Sequence, residues 1–293
     1  MVRLECVPNI SEGRRRDVID ACVEAASTRG VRVLDVSSDP DHNRTVLTLL
    51  GEGGDLVEAT RDLAAAAIEH IDVAEHSGVH PFLGALDVAP FVPLEAGQMP
   101  AAVDAALRAA DKLAALELPV FLYGEAASNA GRAALADHRR GGLVRLTERM
   151  ASGEWSPDRG PDRPHSTGGA VCVGAREPLV AFNLLLDTDD VAAAKRIAAS
   201  LREAGGGLPG VRALGFFLAS RGQAQVSVNL TDCDRTSLFD VVRLADELAR
   251  AVDVRVVETE LVGLAPRRVL PPGAVEALRL PGLSDRQILE SHL

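Results

Sequence analysis

Aromatic residues are scarce in this sequence: they make up 3% of its 293 residues, with a single Trp and a single Tyr. Binding of single-stranded nucleic acid relies on aromatic rings that stack on exposed bases, so the composition argues against it. Because aromatics are so scarce, the core is expected to be built from Leu, Val and Ala. With 47% apolar and 25% charged residues, the chain has the balance of a globular protein that buries a large core.

The sequence also lacks an extended block of positive charge, and its formal net charge is −11. Such a global field repels polyanions, so no nucleic-acid partner is expected. The short basic clusters at 14–16, 139–140 and 267–268 are interpreted as solvated helix faces or helix ends. An anionic substrate must therefore be held by individual arginines.

Cysteine is rare and unclustered. Cys6, Cys22, Cys172 and Cys233 form no CxxC pair, which argues against a zinc site and a disulfide framework and favours small buried hydrophobes in a reducing cytosol. The N-terminal stretch MVRLECVPN has no apolar run of signal-peptide type. No apolar run approaches the ~20 residues that span a bilayer. We expect a cytoplasmic protein without a membrane partner.

Motifs for nicotinamide and metal binding are weak. GGGLPG at 205–210 matches G-x-G-x-x-G, but a helix is predicted before it and a strand after it, the reverse of a dinucleotide site. His76 and His80 are four residues apart, yet Pro81 and Gly78 argue against a helix there. Neither a nicotinamide nor a metal cofactor is predicted.

Apolar periodicity and turn residues predict the same order of elements in both halves of the chain. In the first half they predict strand 2–8, helix 14–28, strands 31–37 and 44–51, helix 55–71 and strand 85–92. In the second half they predict strand 178–187, helix 189–203, strands 211–219 and 224–232, helix 236–250 and strand 254–261. Each half reads β-α-β-β-α-β, the ferredoxin-like arrangement.

Further elements extend both halves. A helix at 100–116, a strand at 119–124 and a helical region at 130–151 precede an irregular loop at 152–169, and two short helices are predicted at 272–279 and 284–292. The predicted fold is α/β (α+β), with two ferredoxin-like subdomains at 1–170 and 171–293. Each has a mostly antiparallel sheet with helices on one face. A small-molecule site is expected in a cleft between them.

Two segments carry potential chemistry. DPDHNR at 39–44 suits a strand-to-strand turn, and a functional role requires Asn43 and Arg44 to point into a cleft. His80 stands before a buried strand, and the following Pro81 restricts its backbone to extended conformations. A lone histidine is more often structural, but this position suits a fixed acid–base group.

Eight ordered segments resemble the formiminotransferase domain family. They are ECVPNISEG (5–13), DPDHNRTV (39–46), HPFLGALDVAPFVPL (80–94), LYGEAA (122–127), GGAVCVGAREPLVAFN (168–183), GGGLPGVRALG (205–215), AQVSVNL (224–230) and ELVGLAP (260–266). The resemblance implies two similar α/β subdomains, a homodimer, and transfer of a formimidoyl group between N5 of tetrahydrofolate and L-glutamate in histidine degradation.

The resemblance also implies site residues. The family's catalytic acid–base falls on His80, and its folate contacts fall on Arg163, Pro164, His165, Ser166, Thr167, Gly168, Gly169, Ala170 and Val171. Arg44, Arg163 and Arg176 are proposed partners for the carboxylates of glutamate and folate, since arginine grips carboxylates bidentately. Asn9, Asp39 and Asn43 are further substrate-binding candidates.

The sequence departs from the family at two positions. Phe82 follows His-Pro where many members have Arg, and Ser37 stands where some have Asp. Two alternatives therefore stay open. One is a related transferase that moves formyl or uses another acceptor, and the other is a folate-binding protein without catalysis.

Overall fold

The structure is a computed structural model that describes residues 2–28 and 30–293. It divides the chain into two compact units between Arg176 and Glu177. The predicted boundary after residue 170 falls in front of a strand at Val171–Ala175, which pairs within the first unit's sheet. The division therefore comes after that strand.

The first unit contains seven strands and five α-helices within the described residues. In chain order they are β1 (Arg3–Cys6), β2 (Asn9–Ile10), α1 (Arg16–Ala26), β3 (Arg32–Asp39), β4 (Arg44–Glu52), α2 (Gly53–His70), β5 (Leu86–Pro93), α3 (Met99–Ala114), β6 (Val120–Gly124), α4 (Leu135–Arg139), α5 (Gly142–Ala151) and β7 (Val171–Ala175). The predicted helical region 130–151 is thus a 3₁₀ turn followed by α4 and α5.

The first sheet has a ferredoxin-like arrangement with an extension. β1 and β2 form an interrupted strand, because both pair antiparallel with β4 on one side and β5 on the other. β3 pairs with β4 at the edge, which completes the predicted βαββαβ order. Beyond β5 the sheet continues in parallel through β7 to β6. β7 was missed because its short apolar run follows directly on a glycine-rich loop.

The core of the first unit lies between this sheet and the helices α1, α2 and α3. Along α3, buried alanines recur at the spacing of one helical face: Ala102, Ala105, Ala106, Ala109 and Ala110. Small side chains allow the helix to approach the strands closely, where Leu47, Leu49 and Phe91 fill the space with no exposed surface. The core is mainly aliphatic, as expected, but Phe91 is among its largest fully buried side chains.

The second unit contains β8 (Val180–Leu186), α6 (Val191–Leu201), β9 (Val211–Leu218), β10 (Gln223–Leu230), α7 (Leu238–Arg250), β11 (Val256–Val262) and α8 (Ala274–Leu278). Its strand order is β11-β8-β10-β9, antiparallel throughout, as a βαββαβ unit requires. The Ser237–Asp240 capping box fixes the start of α7. The helix predicted at 284–292 is instead two 3₁₀ turns.

The fold also shows the surroundings of several segments named in the sequence analysis. Segment 205–210 follows α6 and precedes β9, so its glycines do not open a helix as a dinucleotide site requires. Cys6, Cys22 and Cys172 are buried, whereas Cys233 is half-buried. Among the described helices, none has the length and apolarity that crossing a membrane demands.

Candidate functional site

The loop that carries His80 is fixed by the turn between β3 and β4. Asp39 Oδ1 accepts the backbone N–H groups of Asp41 and His42, each at 2.8 Å, and so closes that turn. Asn43 has a positive φ of 48°, and its side chain accepts from the Gly13 N–H at 2.9 Å and donates to the Ser77 carbonyl at 3.1 Å. The turn thereby fixes the segment that leads to His80. Asp39 and Asn43, which were predicted to bind substrate, thus use their side chains to hold the turn and the segments next to it in place.

The structure brings together three of the predicted site residues, His80, Arg44 and Asn9. The His80 Nδ1 lies 2.7 Å from the Pro81 carbonyl oxygen, which can only accept, so Nδ1 carries the proton. Nε2 then holds the lone pair. Arg44 Nη1 lies close to both ring nitrogens, 2.6 Å from Nε2 and 2.9 Å from Nδ1, and of these two only Nε2 can accept from it in this tautomer. Arg44 Nε donates to Asn9 Oδ1 at 2.8 Å. The Pro81 carbonyl thus assigns the ring to the Nδ1–H tautomer.

The surroundings of His80 favour the uncharged ring. Burial lowers its pKa well below 6.5, and the charges of Arg44, Arg139 and His42 lower it further. Burial, followed by the charge of Arg139, also lowers the pKa of Arg44 to about 9, which leaves this guanidinium charged at neutral pH. His80 is thus a neutral base beside a cation.

Asp87 and Arg139 are members of the site that the sequence interpretation missed. Asp87 lies on β5 with 1% of its surface exposed, where it accepts from an Arg139 Nη2 and from the Leu83 N–H at 2.8 Å. The interpretation of the 139–140 pair as solvated holds for Arg140, whose side chain is 78% exposed, and is wrong for Arg139, which is 15% exposed. The sequence feature that could have revealed this pair is Asp87 itself, a carboxylate inside an apolar strand, because a buried charge needs a partner of opposite charge.

The end of α4 that presents Arg139 is held by a buried histidine. His138 has no exposed surface, accepts from Trp155 Nε1 at its Nδ1 (3.1 Å), and donates from Nε2 to the Arg132 carbonyl at 2.8 Å. The Arg149 and Arg132 guanidinium carbons lie 4.0 and 4.7 Å from the Trp155 ring centroid. These contacts fix the backbone next to Arg139.

The predicted folate segment 163–171 is a closed turn. His165 and Gly169 exchange backbone hydrogen bonds of 2.8 and 3.0 Å, and His165 Nδ1 accepts from the Gly168 N–H at 2.9 Å. Gly168, Gly169, Ala170 and Val171 are buried, His165, Thr167 and Pro164 are half-buried, and Arg163 and Ser166 are exposed. His165 therefore serves the turn through its ring.

This turn is joined to the His80 loop through backbone hydrogen bonds. The Ala85 N–H donates to the Gly168 carbonyl at 2.9 Å, and the Ala170 N–H donates to the Leu83 carbonyl at 2.8 Å. Gly84 crosses Gly169 so closely that a Cβ on Gly84 would lie 2.6 Å from the Gly168 oxygen and closer still to the Ala170 oxygen. The structure thus brings the predicted catalytic loop and the predicted folate segment together.

The charge of Arg176 acts on Glu5 and on Tyr123. The charge of Arg139 also acts on Tyr123, and Tyr123 in turn acts on Arg44. Glu5 lies on β1 with 7% exposed surface, and burial raises its pKa to about 7, against the opposing effect of Arg176.

Glu5→Gln is expected to change the pH dependence of stability. The pKa of Glu5 is raised from 4.5 to about 7 in the folded state, so the fold favours the protonated, neutral carboxyl. Its contribution to the free energy of unfolding is therefore fully present below pH 4.5 and is lost as the pH rises through 7. The variant should match the wild type at pH 4.5 and exceed it at pH 8 by at most about 3 kcal/mol. Urea unfolding followed by Trp155 fluorescence measures this, with exposed Glu24→Gln as control. Equal stabilities at pH 8 would contradict it.

The two departures from the family pattern have structural roles. Phe82 packs against the first unit's core, and its ring meets that of His76 edge-on with centroids 4.2 Å apart. Ser37 Oγ donates to Asp35 Oδ2 at 2.6 Å on β3. Phe82 therefore supports the His80 loop by packing. Within the described part of the chain, no group of His, Cys, Asp and Glu is arranged to hold a metal ion.

The protein has two α/β units, and in the first the loop that follows His80 is joined by backbone hydrogen bonds to a glycine-rich turn. The formiminotransferase domain, N-terminal subdomain, matches residues 3–176, and the formiminotransferase domain matches residues 181–275. The chain belongs to the formiminotransferase domain family.

Named relatives agree with this family. The chain is 40% identical to a glutamate formimidoyltransferase of Streptococcus pyogenes serotype M1, covering 99% of this chain and 98% of that protein. It is 38% identical to the glutamate formimidoyltransferase of Thermoplasma acidophilum over 99% of this chain and 97% of the relative. It is 44% identical to the Sus scrofa formimidoyltransferase-cyclodeaminase, covering 91% of this chain and 51% of that protein.

Proposed function

We propose that this protein is a glutamate formimidoyltransferase, which moves a formimidoyl group between N5 of tetrahydrofolate and the amino group of L-glutamate. The observation that carries the proposal is His80, a neutral imidazole with its lone pair on Nε2, on a loop bonded to the 165–169 turn. Near-full-length relatives bear this activity in their names.

The reaction needs one group that moves a proton between two nitrogens. The attacking nitrogen loses a proton as its bond to the formimidoyl carbon forms, and the departing nitrogen gains one as its bond breaks. His80 Nε2 takes the first proton and returns it to the second nitrogen, so no net proton is consumed. Holding both substrates beside this ring removes much of the entropic barrier.

The remaining parts of the site bind and orient. Segment 163–171 is the proposed folate-binding segment. The N–H groups of Gly168, Gly169 and Ala170 hold the turn in place, and the exposed Arg163 at its start suits the glutamyl tail of folate. Arg44 is the nearest cation to His80 and serves a substrate carboxylate. Arg176, whose charge acts on Glu5 and Tyr123, is proposed for a second carboxylate. We also propose a cytoplasmic homodimer.

Purified protein supplied with tetrahydrofolate and N-formimidoyl-L-glutamate should show transfer. Because the pKa of His80 is lowered well below 6.5, the acid limb of kcat/KM should have its midpoint below pH 6.5, with a plateau at neutral pH. A pH series of initial rates measures both. A midpoint at or above 6.5 would contradict the assigned environment of His80, and folate binding without turnover would instead favour a carrier.

A further inference from the structure

The cluster formed by Asn9, Arg44, His80, Asp87 and Arg139, here called the His80 cluster, carries an excess of positive charge. Arg44 and Arg139 repel each other, and each disfavours a proton on His80. Asp87 supplies the negative charge, but its oxygens already accept from Arg139 and from the Leu83 N–H. An anion that binds between the two arginines would relieve this repulsion.

Arg139 is only partly engaged by Asp87. Its Nη2 donates to Asp87 Oδ2, while its Nε–H is buried and has no acceptor among residues 2–28 and 30–293. The Nε–H groups of Arg61, Arg202 and Arg279 share this feature, but Arg139 differs from them in acting on Arg44 and His80 through its charge. An arginine presents Nε–H and Nη–H together to a carboxylate, so the free Nε–H matches an anionic ligand.

Arg44 occupies the nitrogen of His80 that must act as the base. Its Nη1 donates to His80 Nε2 at 2.6 Å, the nitrogen whose lone pair must take the proton. That lone pair cannot accept from Arg44 and bind a proton simultaneously. The guanidinium must therefore leave the ring before the reaction, and a carboxylate is a stronger partner for it than a neutral imidazole.

We propose that Arg139 and Arg44 form the subsite for a carboxylate of the amino-acid substrate, and that carboxylate binding draws Arg44 away from His80 Nε2. Arg139 is then a specificity-determining residue and Arg44 couples substrate binding to the exposure of the base. The substrate's identity as an amino acid rests on the proposed function, whereas the anion site rests on the contacts and charges of Arg44 and Arg139.

Binding of glutarate, a dicarboxylate without an amine, tests the subsite without turnover. The His80 ring signals are assigned by their loss in His80→Gln and titrated by NMR with and without saturating glutarate. We expect glutarate to raise the His80 titration midpoint by at least one pH unit, because the anion compensates both arginines. Arg140→Gln, which alters the exposed neighbour, should show the same shift, and Arg139→Lys a smaller one. An unmoved midpoint in the wild type would overturn the proposal.

Kinetics with carboxamide substrates provide the second test. Replacing the docked carboxylate by an amide, through the two mono-amides of the amino-acid substrate in turn, should lower wild-type kcat/KM at least 100-fold for one of them. In Arg139→Lys, which keeps a cation beside Asp87, the ratio of kcat/KM for the carboxylate substrate to that for the mono-amide should fall below 10, while KM for tetrahydrofolate stays within twofold of the wild type. The double variant Asp87→Asn/Arg139→Gln, which buries no uncompensated charge, should show the same fall in this ratio. Unchanged preference in both variants would overturn the proposal.

The two proposals fail in different ways. Transfer activity with no effect of glutarate on His80 would leave the proposed function standing and remove the subsite. A glutarate-induced shift in a protein that shows no transfer would leave the subsite standing and remove the proposed reaction.

Discussion

His80→Gln is expected to lower kcat about 10²- to 10⁴-fold, the range that a positioned general acid–base contributes. The amide of Gln can still accept a hydrogen bond from Arg44, which donates to His80 Nε2 at 2.6 Å, so the local packing is kept while the proton-transferring nitrogen is removed. Stopped-flow or initial-rate measurements with tetrahydrofolate and N-formimidoyl-L-glutamate give kcat, and fluorescence titration gives the folate Kd.

The folate Kd should stay within a few-fold of the wild type, because the backbone bonds that join the 165–169 turn to the loop at Leu83 and Ala85 are untouched. His70→Gln is the matched control, since His70 is exposed at the end of α2. Turnover that survives His80→Gln would remove this residue from the mechanism. A kcat loss of equal size in His70→Gln would point to a general effect on folding.

Gly84→Ala is expected to destabilise the first unit by about 3 kcal/mol, the upper part of the range for an overpacked site. The added methyl would lie 2.6 Å from the Gly168 oxygen and closer to the Ala170 oxygen, and both are backbone atoms that no side-chain rotation can move. The clash can be relieved only if the loop that follows His80 moves away from the 165–169 turn. Folate affinity and kcat should therefore fall together with stability. Urea unfolding followed by Trp155 fluorescence, with folate titration, measures these effects.

Gly54→Ala is the matched control for this substitution. Gly54 lies in α2, and the nearest atom to its added Cβ is Arg108 Nη2 at 3.7 Å, an ordinary contact. Ala is a better helix former than Gly, so this variant should be as stable as the wild type or more stable. If Gly84→Ala binds folate as the wild type does, the close approach of the two segments is not needed for binding.

The repeated βαββαβ order followed from the sequence because it is written in local patterns. A short apolar run that follows turn residues marks a strand such as the one predicted at 44–51, and residues spaced like Val18, Ile19 and Cys22 mark one face of a helix. The position of His80 before a buried strand was equally readable, since Pro81 and the following apolar run are neighbours in the chain. These features depend on residues within one or two turns of each other.

The sequence by itself also identified segments 80–94 and 163–171, but it gave no sign that they touch. Their union through Leu83, Gly84 and Ala170 and the pairing of Asp87 with Arg139, 52 residues apart, are decided by the tertiary structure. The tertiary structure also decides the lowered pKa of His80, because this shift arises from burial and from cations on other segments. Burial and charge–charge distance depend on how distant segments pack, and no local pattern encodes them.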